Sequence, residues 1–154
     1  MTDAETNTLK QSLTADMKSA MKAGDKDRLA TIRLILSAIK QVEVDTRSTL
    51  SDTDLIAIID KMSKQRRESI EQFEKAGRND LADKEKAELV VLGDYLPQAL
   101  NEDEIARIIH QAITQTAASS MKDMGTVMAI LKPQLQGRAD MSQVSRQVKL
   151  LLSS

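Results

Sequence analysis

Apolar side chains return every three to four residues along nearly the whole chain, a period that fits helices and not sheets. Leu9, Leu13, Met17 and Met21 form one stripe, expected on a first helix from Thr2 to Lys22 that Gly24 ends. A second helix from about Asp25 carries Leu29, Ile32, Ile35, Leu36, Ile39 and Val42, a stripe wide enough for a central position. Ser51, with Asp54 three residues on, reads as the N-cap of a third helix. Its stripe is Leu55, Ile58, Ile59, Met62, Ile70 and Phe73, and Gly77 closes it. Asn79 or Asp80 opens a fourth, with Leu81, Leu89 and Leu92. Asn101 and Glu104 box the start of a fifth, with Ile105, Ile108, Ile109, Ala112 and Ile113. Asp123 opens a sixth with Val127, Met128, Leu131 and Leu135; Pro133 is expected to kink or shorten it, and Gly137 stops it. Asp140 or Ser142 opens a seventh with Val144, Val148, Leu151 and Leu152. The expected fold class is all-α.

Scarcity narrows what such helices can do. The 154 residues hold Phe73 and Tyr95 as their aromatic side chains and no tryptophan, too few rings for the stacking platforms of single-strand-binding sheets. Without cysteine there is no disulfide, thiolate zinc site or cysteine nucleophile, and one histidine excludes a multi-histidine metal site. The 22 basic and 23 acidic residues leave a net charge of −1, so bulk charge does not drive the whole chain onto nucleic acid or an anionic membrane. Charge is uneven, however. Up to Asp94 there are 16 basic and 18 acidic residues; after it, 6 and 5. That shift, at the break Gly93-Asp94-Tyr95-Leu96-Pro97, divides the chain into residues 1–94 and 95–154. The dense apolar runs, such as Leu34 to Ile39, fall far short of the roughly 20 residues that cross a bilayer. Acids in Met1-Thr2-Asp3-Ala4-Glu5 do not suit a secretory signal, so a cytoplasmic location is expected.

Lys61, Lys64, Arg66 and Arg67 form the densest positive cluster, and Lys61, Lys64 and Arg67 share a helix face that suits phosphate contacts. Lys64–Glu68, Arg67–Glu71 and Glu71–Lys75 compete with that reading as i,i+4 pairs that simply solvate a helix. Glu85 and Glu88 sit one turn apart, a spacing open to Mg²⁺ or acid–base work but more ordinary on a solvated face. His110 has no serine or carboxylate placed by sequence to make a triad, and reads as a packing or surface residue. Met121, Met124 and Met128 read as gap fillers of a ring-poor core rather than as a groove. No GxxxxGK[ST], GxGxxG or GxSxG occurs. No catalytic residue, metal ligand or cofactor is therefore assigned.

The most distinctive constellation is late: Gly125-Thr126-Val127-Met128, then Gly137-Arg138-Ala139-Asp140. Gly137 can take a positive φ, Asp140 can cap the seventh helix, and Arg138 is held at the turn beside that helix start, where an anion contact is reasonable. With Lys61 through Gly77-Arg78-Asn79-Asp80-Leu81-Ala82 and with Tyr95-Leu96-Pro97, the ordered set resembles the GatB/YqeY family over essentially the whole chain. The eight residues between Met128 and Gly137 suit its stand-alone branch better than the amidotransferase tail.

The resemblance implies an N-terminal four-helix subdomain followed by a C-terminal three-helix subdomain. It also implies a link to the aspartyl/glutamyl-tRNA amidotransferase, in which a module of this kind helps hold tRNA. Gly125, Val127, Met128, Gly137, Ala139 and Asp140 match the tail motif, and Arg138 becomes the candidate RNA contact beside Lys61, Lys64 and Arg67. The expected partner is tRNA or a tRNA-amidotransferase or aminoacylation complex, with no DNA and no membrane. The family label, carbon–nitrogen ligase with glutamine as amide donor, leaves an accessory enzyme open. A protein–protein adaptor with no RNA role is the further alternative.

Overall fold

A computed structural model describes residues 8–153, and every regular element among them is helical. The part of the expected first helix from Thr2 to Asn7 lies outside the described residues. The elements are α1 (Thr8–Ala23), α2 (Lys26–Thr46), α3 (Asp52–Lys75), α4 (Asn79–Gly93), α5 (Glu102–Thr116), α6 (Met124–Leu135) and α7 (Met141–Ser153), with a short 3-10 turn at Met121–Asp123. The chain divides into two compact units, Met1–Leu96 and Pro97–Ser154.

In the first unit the core is aliphatic. Leu13 from α1, Ile32, Ile35 and Ile39 from α2, Leu55 and Ile59 from α3 and Leu92 from α4 are almost wholly removed from solvent. Burying each such side chain stabilises the fold by about 1.5–3 kcal/mol. Local signals set the ends. Gly24 and Gly77 adopt φ of +71°, and each closes a Schellman motif: Asp25 N–H donates to Ala20 O, and Arg78 N–H to Phe73 O. Ser51 and Asp54 form a reciprocal capping box at the start of α3. α4 opens at one of its two expected positions. It begins at Asn79 with Arg78 as the cap residue, and no side chain caps it. Arg78 instead reaches Asp80 in the first turn, where acid is favoured by the helix dipole.

Tyr95 packs into this core with 9% of its surface exposed. Its hydroxyl donates to Asp16 Oδ2 at 2.6 Å, tying the chain after α4 back to α1. Next to it Arg28 pairs with Asp94 at 3.0 Å.

The second unit is smaller, and its core rests on Ile109, Ala112, Val127, Leu131, Leu135, Val144, Val148 and Leu152. Asn101 and Glu104 form the expected capping box of α5. Asp123 stands at the cap position of α6, as expected, but its side chain does not cap that helix. Ser120 caps the 3-10 turn, and the Asp123 carboxylate accepts the Ser119 and Ser120 N–H groups, so the helical path begins before Asp123 and α6 proper at Met124. Pro133 sits on the exposed side of α6, which runs on to Leu135. Gln136 (φ −59°, ψ 125°) and Gly137 (φ +78°), with Arg138 N–H donating to Leu135 O, make a type II turn that needs glycine at its third position. Asp140 Oδ1 then accepts the Ser142 N–H and caps α7.

Burial, followed by the neighbouring Asp16 carboxylate, pushes the Tyr95 phenol up to about 12. The folded-state value lies above that of an exposed tyrosine, about 10. The neutral phenol's stabilisation is therefore complete below pH 10 and is lost as pH climbs through 12. With one tyrosine and no tryptophan, a phenolate absorbance titration reads this residue alone. It is expected to titrate near 12 in the native protein and near 10 in urea. Tyr95→Phe should remove the extra loss of stability across that window.

Candidate nucleic-acid interface

The inner face of α3 turns Leu55, Ile59, Met62, Ser63 and Ile70 into the first unit. Side chains away from that face are solvated, and Lys61, Lys64 and Arg67 are all exposed. None of the three closes an ion pair among the described residues. Of the three i,i+4 pairs expected along this helix, Glu71–Lys75 forms, at 3.0 Å. The basic face is bordered by acid: Glu68 and Glu71, with Ser69 and Phe73, line an open cleft beside it.

Arg66 belongs to a different structure from its neighbours. It lies on the side of α3 that meets α4, and its Nε donates to Glu88 Oε2 at 2.6 Å and stands 3.3 Å from Glu85 Oε2. The two carboxylates whose spacing is open to metal or acid–base work are thus shared by one guanidinium. The short turn at Gly77 folds α4 back along α3, and the Lys86–Glu74 contact at 3.8 Å lies further along the same hairpin. Among the described residues no group of three or more acidic or histidine side chains is placed to hold a metal ion. His110 is exposed on α5.

In the second unit Arg138 stands on the turn between α6 and α7. Its Nε donates to Gln98 O at 3.1 Å, and its carbonyl accepts the Leu100 N–H at 2.9 Å. It thereby pins the segment leading into α5 to the α6–α7 turn, a role no local pattern announces. The motif residues around it divide by task. Val127 is buried, Met128 and Ala139 pack against the core, Gly125 is exposed, Gly137 makes the turn and Asp140 caps α7.

The family model for YqeY-like proteins matches residues 10–152, and the chain belongs to that family. It is 32% identical over 151 residues to the altered inheritance of mitochondria protein 41, mitochondrial, of Pyrenophora tritici-repentis, covering 96% of this chain and 83% of that one. The protein of the same name from Lachancea thermotolerans is 38% identical over 113 residues, covering 70% and 59%. That from Eremothecium gossypii is 42% identical over 99 residues, covering 62% and 54%. The matches thus span little more than half the length of the latter two relatives. No helix among the described residues is long and apolar enough to cross a membrane.

Removing Arg66 leaves Glu85 and Glu88 facing each other in a half-buried setting. Arg66→Ala should lower stability by about 2 kcal/mol, below the cost for a fully buried pair because these groups keep some water. Alanine at Lys61, Lys64 or Arg67 should change it by no more than about 0.5 kcal/mol. Urea unfolding of the four variants checks this.

Proposed function

We propose that this chain is a non-catalytic tRNA-binding or accessory module linked to tRNA-dependent amidation, working in an aqueous compartment such as the cytoplasm. The observation that carries the reading is the set of exposed cations Lys61, Lys64 and Arg67, free of ion pairs among the described residues and so available to phosphate. Arg138 supports it in part. One guanidinium nitrogen is taken by Gln98 O, while the side chain is half-exposed at a turn beside the start of α7. Membership of the YqeY-like family fits this reading. A purified sample should retard tRNA at low salt. Replacing Lys61, Lys64 and Arg67 by glutamine should weaken binding and reduce the salt slope by about one per lost phosphate contact. Arg138→Ala should weaken it further. A folded protein that leaves tRNA unretarded at low salt overturns the reading.

A second reading, a protein adaptor, is favoured by Leu150 and Leu151, which are 70% and 43% exposed at the end of α7. Large apolar side chains left in water at a helix end suit docking onto another protein. Under this reading Leu150→Lys abolishes nuclease-insensitive binding to amidotransferase subunits and leaves tRNA retardation unchanged.

A further inference from the structure

α2 carries a cation at every seventh residue: Lys26, Arg33 and Lys40, with Arg47 next in the series at the C-cap. Seven residues fall about 20° short of two helical turns, so the three within the helix stay on one narrow stripe. At about 1.5 Å per residue they stand about 10.5 Å apart, and the row to Arg47 spans about 31 Å. All four are exposed, and none takes part in an ion pair among the described residues. Ala30, Ser37 and Val44, which lie between them on the same side, are uncharged and exposed. The acids of α2 are elsewhere. Glu43 holds Lys10, Asp45 accepts from Gln41, and Asp27 lies about a third of a turn off the stripe. The basic face of α3, by contrast, is interleaved with Glu68 and Glu71.

We propose that the outer stripe of α2 is a contact line for the phosphodiester backbone of duplex RNA. A straight row of cations about 31 Å long is comparable in length with one turn of a duplex, about 34–36 Å, so its four charges can meet successive phosphates along one side. No ring lies on the stripe, so it grips backbone rather than stacked bases. A helix inserted in a membrane interface would instead need a continuous row of bulky apolar side chains beside the cations; the stripe itself offers Val44, and Leu34 lies about a quarter-turn away. The inference rests on the RNA-binding reading proposed for this chain and moves its main contact from α3 to α2.

The test compares the wild-type chain with the variant Lys26→Gln, Arg33→Gln, Lys40→Gln, Arg47→Gln. A charge-matched control carries Lys84→Gln, Arg107→Gln, Lys122→Gln, Lys132→Gln. All are exposed, and circular dichroism confirms that each variant is folded. The probes are a tRNA, a 16-base-pair RNA duplex, single-stranded RNA of the same length and phosphatidylserine vesicles. The α2 variant should bind tRNA and duplex at least about tenfold more weakly, with a salt slope shallower by about 3.6, while the control stays within about twofold of wild type. Equal binding of tRNA by wild type and the α2 variant overturns this inference and leaves the tRNA reading standing. Loss of duplex binding in the variant, with no preference for tRNA over duplex, sustains the inference and removes the tRNA-specific reading. Binding of vesicles but not RNA, or of no probe at all, overturns both.

Discussion

The burial of one face of α2 orders much else in the first unit. Ile32, Ile35 and Ile39 are wholly excluded from water, and with no tryptophan and no phenylalanine in the core their packing is done by aliphatic branches. A helix held this way has no rotational freedom, because turning it would expose three isoleucines at about 1.5–3 kcal/mol each. Fixing the inner face also fixes the outer one. Lys26, Arg33 and Lys40 lie roughly opposite the isoleucines and are aimed into solvent by the packing behind them, without a side-chain hydrogen bond among the described residues to position them.

Charge is handled differently on the neighbouring hairpin. Where α3 meets α4, Arg66 stands between Glu85 and Glu88 with side-chain exposures of 16–22%, and the three act as one unit. Partial burial of an ion cluster brings little net stability but penalises the loss of a member. Such a cluster sets the facing of the two helices, and Ala82, fully buried on α4, permits close approach. The same few turns of α3 thus hold a structural arginine and three solvated cations, and only the rotation of the helix tells them apart.

That distinction marks where sequence reasoning works. The capping boxes at Ser51 and Asn101 and the glycine ends at Gly24, Gly77 and Gly137 were legible because each depends on residues no more than five positions apart. The apolar stripes were legible for the same reason, and with them the all-helical class. The fate of Glu85 and Glu88 was not, since it depends on a guanidinium about 20 residues away. Nor was the hold of Arg138 on Gln98, across 40 positions. Asp123 was legible as the residue that opens α6, but the bonds of its carboxylate, which accepts from Ser119 and Ser120 instead of capping forward, were not. The seven-residue cation interval of α2 was present in the letters throughout. It had no meaning until the burial of Ile32, Ile35 and Ile39 showed which side of the helix faces out, because Asp27, Glu43 and Asp45 interrupt it in linear order.

A net charge of −1 is a poor guide to such a surface. At physiological salt the screening length is about 8 Å, so a polyanion laid along α2 responds to cations about 10.5 Å apart and hardly at all to acids on the far side of the unit. Many of those acids are already committed: Glu85 and Glu88 to Arg66, Asp16 to Tyr95, Asp94 to Arg28 and Glu43 to Lys10. Glu43 and Asp94 are neutralised one to one, Glu85 and Glu88 share the single charge of Arg66, and Asp16 is tied to a neutral hydroxyl, whereas the α2 row has no ion-pair partner among the described residues. Local field therefore tracks the pattern of pairing rather than the sum of charges. A chain that is neutral in bulk can in this way present one cationic edge, and the salt dependence of whatever binds there reports the number of cations in the row and not the net charge of the protein.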